Sequence, residues 1–157
     1  MAAGTTRQAR ADSPFTRVAA ILGAKLRIKS AIDLHEQILD GLPCSTAVYL
    51  VSNLHEIKVD ESIRALNISS RTWHRIKAEK ADLGKSLDVD QSARLWSMAE
   101  ILAKAQEVLG TREEAEQWLS RPAIGLESRR PIDLMATPQG AVLVKTLLDQ
   151  MEHGVYA

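Results

Sequence analysis

Between residues 88 and 109, Leu95, Met98, Leu102, Ala105 and Leu109 recur in alternating steps of three and four. That spacing puts them on one face of an α-helix and cannot line one face of a strand, where side chains alternate at period two. Ile101 and Val108 widen the stripe beyond a narrow seam, and Gly110 ends it. Such a stripe is either the core helix of a bundle or a coiled-coil-like dimer seam. Apolar residues elsewhere follow the same helical period, and no run alternates convincingly at period two. The expected fold class is all-α. A chain of 157 residues allows one domain or two small ones. Aromatic residues make up only 4% of it, so its core must be built of Leu, Ile, Val and Ala.

Capping residues divide the pattern into helices. Ser30 opens a helix over 30–41 carrying Ile32, Leu34, Ile38 and Leu39, which Gly41 and Pro43 stop. Ser45 is the expected cap of a second helix, 46–56, with Val48, Leu50, Val51 and Leu54. The segment 58–80 divides at Asn67-Ile68-Ser69. Before the break Val59, Ile63 and Leu66 share a face, with Asp60 and Glu61 at the positive end of the helix dipole. After it Ser69 caps a helix in which Ile68 and Trp73 have hydrophobic-staple spacing and Ile76 joins Trp73 on the buried side. Thr111 and Glu114 form a capping box for a short helix ending at Trp118-Leu119 before Pro122. The stretch Ser128-Arg-Arg-Pro-Ile-Asp-Leu-Met-Ala-Thr-Pro-Gln-Gly140 holds two helix starts. Pro131 sets a one-turn helix anchored by Ile132, Leu134 and Met135. Thr137 and Pro138 then launch the last helix, with Val144, Leu147, Leu148 and Met151 on one face. Its expected effect is to aim the apolar tip Val155-Tyr156-Ala157 at a partner.

Charge is segregated although the net charge is zero. Residues 1–29 carry six basic side chains and one acid and are expected to form a flexible arm. Residues 30–57 carry four acids and no Lys or Arg, 58–80 carry six basic residues against three acids, and 86–157 carry seven against eleven. Alternating basic and acidic blocks suit two different partners. The single cysteine, Cys44, excludes an internal disulfide and fits a reducing, cytoplasmic setting with Cys44 as a small apolar filler. No stretch is long and apolar enough to span a membrane, and the N-terminus lacks a secretory pattern. His35, His55, His74 and His153 lack metal-ligand spacing. No phosphate loop, nucleotide fingerprint or nucleophile elbow occurs, so no enzymatic function and no cofactor are expected.

The unit at 58–80 has the outline of a helix-turn-helix. Its second helix would present Ser70, Arg71, His74 and Arg75 to base edges, with Lys77, Lys80 and Lys58 placed for phosphates. The arginines Arg7, Arg10 and Arg17 of the arm could follow the backbone of the same DNA.

The C-terminal block resembles the toxin-binding domain of the Xre/MbcA/ParS antitoxins. The resemblance is carried by Trp118-Leu119, Gly125-Leu126, Pro131-Ile132-Asp133-Leu134, Thr137-x-x-Gly140 and His153-Gly154-Val155. Leu66 to Thr72 is similar to the family's entry into its recognition helix, and Ser92 to Trp96 to the start of its long central helix. Many members have glycine after the loop leucine, where this chain has Glu127. The resemblance covers roughly 45–157. It implies an Xre-like helix-turn-helix and dimerisation domain at 30–109 and a small helical toxin-binding domain at 110–157. It also implies a type II antitoxin that covers the active site of a RES-domain toxin. Such toxins consume NAD, by hydrolysis or by ADP-ribosyl transfer. Operator binding, transcriptional repression and a homodimer formed by the N-terminal domain are implied too. The expected toxin contacts are Trp118, Arg129, Arg130, Pro131, Asp133, Met151, His153, Val155, Tyr156 and Ala157. The alternative is a stand-alone regulator whose C-terminal block only dimerises.

Overall fold

The computed structural model describes residues 13–23, 26–78 and 84–154, and among these the fold is all-α. The helices are α1 (Pro14–Ile21), α2 (Ala31–Asp40), α3 (Cys44–Ser52), α4 (Val59–Ala65), α5 (Ser70–Ala78), α6 (Val89–Leu109), α7 (Arg112–Ser120), α8 (Pro131–Leu134) and α9 (Pro138–Glu152). A 3-10 turn spans Ile124–Leu126. Among the described residues, strand-like pairing is limited to isolated bridges, Pro43 with Ser86 and Ala123 with Arg129.

The spine is α6. Its 21 residues rise about 30 Å. Asp88 Oδ1 accepts from the Gln91 N–H at 2.7 Å and Gln91 Oε1 from the Asp88 N–H at 3.4 Å, a reciprocal cap that fixes where it starts. Leu95, Trp96, Met98, Ala99, Ile101, Leu102 and Ala105 are all buried, and α1, α2, α7 and α9 pack around them. The apolar stripe is thus a core helix within one chain. Around it, α3, α4 and α5 form one cluster, and α8 bridges α4, α7 and α9. The buried apolar residues run as one continuous cluster from Val18 to Leu148, across the boundary drawn at residue 110.

Several local expectations change in the structure. Residues 14–21, placed in the flexible arm, form α1. Val18, Ala19 and Leu22 are buried, and the Phe15 ring stacks on Trp96 at 6.5 Å. Alanines and basic residues around Pro14 hid a short amphipathic helix that needs α6 to bury its face. Residues 1–12 of the arm, with Arg7 and Arg10, lie outside the described residues. Helix α3 starts at Cys44 behind Pro43, not behind Ser45. The Thr46 hydroxyl donates to the Pro43 carbonyl at 2.6 Å instead. Val59 does not share the buried face of Ile63 and Leu66. It sits at the exposed mouth of α4. In α2 no side chain is fully buried, and Ile32 and Leu39 face solvent. The expected Ser30 and Thr111 caps form, each accepting from the backbone N–H three residues on at 3.1 Å.

Candidate functional site

Two surfaces carry the candidate residues. The first is α5. Ile68 and Trp73 are buried as the staple spacing requires, and Ile76 is half-buried beneath them. Ser70, Arg71, His74, Arg75 and Lys77 are all exposed on the opposite side. The turn before α5 is rigidly built. Asn67 takes a left-handed conformation (φ 55°), one that Asn tolerates better than most residues. Its amide donates to Asp90 at 3.1 Å, and its carbonyl accepts from the Gln91 side chain at 3.2 Å. Ser69 Oγ accepts from the Thr72 N–H. The Asn67 hydrogen bond, aided by Arg94 and opposed by burial, holds the Asp90 carboxyl below its ordinary range. The presenting helix is therefore bolted to the N-terminus of α6. Lys58 is exposed at the start of α4, while Lys80 lies outside the described residues.

The second surface is the block from α7 to α9. Its interior is joined to the N-terminal half by two clasps. Glu116 is 1% exposed, and its Oε2 accepts from the backbone N–H groups of His55 and Glu56 at 2.8 and 2.9 Å. Arg112 donates to its other oxygen at 3.1 Å, so the buried charge is paired and hydrogen-bonded. In the second clasp, Arg130 donates to Glu61 of α4 and, at 2.9 Å, to the Ser120 carbonyl. Burial pushes the Glu61 carboxyl up. The Arg130 hydrogen bond, the Lys58 N–H and both positive charges outweigh that and hold it below its ordinary range. The same hydrogen bond to Glu61 raises Arg130.

The two helix starts within 128–140 are present. Pro131 begins α8, and Thr137 Oγ1 accepts from the Gly140 N–H at 3.0 Å. Gly140 is required for a second reason: any Cβ there would run into the Leu134 carbonyl, so α9 crosses α8 at backbone contact. Before α8, Glu127 and Ser128 are consecutive left-handed residues (φ 54° and 61°). They curl the loop so that the Ala123 N–H donates to the Arg129 carbonyl at 3.0 Å and the Ser128 N–H to the Ala123 carbonyl at 3.0 Å.

Residues 104–154 match the family described as the antitoxin Xre/MbcA/ParS C-terminal toxin-binding domain. The similarity to whole proteins reaches further. An "Antitoxin Xre" of Pseudomonas putida is 29% identical over 129 residues, 81% of this chain and 76% of its own length. One from Yersinia enterocolitica is 27% identical over 124 residues, 76% of this chain and 81% of its own. The chain is thus similar to the Xre/MbcA/ParS-type antitoxins over most of its length. A further relative, "Prs ADP-ribosylating antitoxin" of a Sphingobium species, is 25% identical over 139 residues, 82% of this chain and 83% of its own.

Within the block matched to the toxin-binding domain, Arg129, Asp133 and His153 are exposed, and Trp118 and Met151 are half-buried. Arg130 and Pro131, also among the expected contact residues, take part in the protein's own packing. Pro131 is buried, and Arg130 is held by Glu61 and Ser120. The Arg129-Arg130 pair thus separates into one exposed residue and one clasp. Val155, Tyr156 and Ala157 lie outside the described residues. Sequence reasoning passed over Glu116, whose acid-rich surroundings gave no sign that one carboxylate of three turns inward. Its spacing four residues from Arg112 is the signal it carried. No group of three His, Cys, Asp or Glu side chains converges on a metal position among the described residues. No described helix is long and apolar enough to cross a membrane.

Proposed function

We propose that this antitoxin neutralises a RES-domain, NAD-consuming toxin in the cytoplasm by covering its active site with residues 110–157. We further propose that it binds operator DNA through α5 and represses its own operon as a homodimer joined by residues 30–109. The chain itself performs no catalysis. The observation that carries the toxin half is the match of 104–154 to a toxin-binding domain. The name of the Sphingobium relative, which couples antitoxin to ADP-ribosylation, supports a partner that handles NAD.

The DNA half rests on α5 acting as a helix-turn-helix recognition helix. It is fixed from beneath by Trp73 and Ile68 and presents five polar or basic side chains outward. That is the arrangement needed to enter a major groove.

The test is co-expression with the product of the neighbouring gene, followed by size-exclusion chromatography and an NAD consumption assay. Capture of that protein and suppression of NAD loss are expected. Unchecked NAD loss in the presence of a stable antitoxin would overturn the reading. Replacing Arg71 and Arg75 together with Ala should abolish operator binding while toxin capture persists. Operator affinity should also fall steeply with added salt, since phosphate contacts release counterions. Deletion of residues 150–157 should weaken neutralisation.

A further inference from the structure

The outward face of α9 is uncharged and carries two large aliphatic side chains. Gln139, Val142, Leu143, Thr146 and Gln150 are all exposed, and none is charged. Val142 and Leu143 are 59% and 55% exposed. The charges of α9 are drawn instead to the flank facing α6. There Lys145 lies 3.7 Å from Glu100, and Lys104 pairs with Asp149 at 3.2 Å and with Glu152. Those acids, Glu152 first, raise Lys104. Beside α9 packs the 3-10 turn, whose Ile124 is 87% exposed. By contrast, the exposed Ile32 and Leu39 of α2 are interspersed with Asp33, Glu36 and Asp40. In a chain that is 25% charged, an uncharged helix face with two large aliphatic residues is the composition of an interface centre, not of a solvated surface.

We propose that Val142, Leu143 and Ile124 are the apolar anchors by which the antitoxin grips its toxin, with Gln139, Thr146 and Gln150 as a hydrogen-bonding rim. The occupant is the toxin for two reasons. All six residues lie inside the segment matched to a toxin-binding domain. The same helix also carries Met151 and is capped at its C-terminus by His153, two of the expected toxin contacts. The toxin surface that fits is an apolar, uncharged depression. This inference rests on the toxin-neutralising reading above.

The experiment titrates the purified product of the neighbouring toxin gene with full-length Val142→Glu, Leu143→Glu and Ile124→Glu antitoxin. Each variant is exposed at the changed position and should melt as the parent does. Each should bind about tenfold or more weakly, as loss of a central anchor does, while Glu113→Ala on α7 binds as the parent. Leu143→Gln, which keeps size and adds no charge, serves as the second variant and should also weaken binding. Parent-like affinity in all of them overturns the anchor assignment and leaves the toxin reading standing. Failure of the parent antitoxin to bind that protein overturns both. Light scattering on the antitoxin alone supplies the remaining outcome. If Leu143→Glu dissolves a dimer, the face belongs to a second copy of this chain and the proposal is wrong.

Discussion

Three single residues show where the fold leaves no freedom. A Cβ at position 140 would overlap the Leu134 carbonyl, and backbone cannot swing aside as a side chain can. Gly140→Ala should therefore cost about 1–3 kcal/mol, seen as a lower urea midpoint with an unchanged slope. Glu127 pays a left-handed strain that glycine does not. Glu127→Gly should raise stability by about 1 kcal/mol in the same assay. In the sequence the position stood out only through the resemblance, as the place where many members have glycine. The φ angle supplies the physical cause. Glu116→Ala should cost about 2–3 kcal/mol, because it strands the His55 and Glu56 N–H groups. Glu116→Gln, which keeps an acceptor oxygen, should cost less. Only its spacing four residues from Arg112 set this acid apart from Glu113 and Glu114, and its inwardness depends on a loop sixty residues away.

Among the elements, α8 is held by charge as well as by packing. Arg130→Ala should lower the stability of the antitoxin alone by about 1 kcal/mol, the scale for a partly exposed pair, while Arg129→Ala should leave it unchanged. Thermal melts of both variants without toxin decide the point. The folded Glu61 and Asp90 carboxyls sit below their ordinary values of 4.5 and 3.8. Their stabilisation is therefore complete above those values and is lost as pH falls through the depressed folded ones. A melting temperature that is flat near neutrality and drops below about pH 4.5 is expected, with the drop reduced in Glu61→Gln. Helix positions were largely legible because caps and period are local: Ser30, Ser69, Thr111, Thr137 and Gly110 each act within a turn of themselves. The burial of α1 and the exposure of Val59 were not legible, because each depends on which neighbour arrives.

At the scale of the molecule, the core is continuous across residue 110. The N-terminal and C-terminal halves should therefore unfold together in urea. Trp73 and Trp96 lie before that point and Trp118 after it. Tryptophan fluorescence and far-ultraviolet dichroism should give coincident midpoints, and separated midpoints would show two independent units. The sequence divided the chain by function, since its motifs cluster at 58–80 and 116–155. It could not show that the two regions share side chains, because Glu116 to His55 and Arg130 to Glu61 are contacts between distant positions.

The Glu116 clasp also bears on how such a chain is destroyed. A protease that cut after Gly110 would remove Glu116, Leu119 and Leu148 in one stroke, leaving the His55 and Glu56 N–H groups unpaired and the flank of α6 bare. The N-terminal remnant would then lose the support that α8 gives α4, against which α5 packs, as well as the segment matched to toxin binding. One cleavage would end both proposed activities together, and no half-molecule would persist to occupy an operator after the other half had gone.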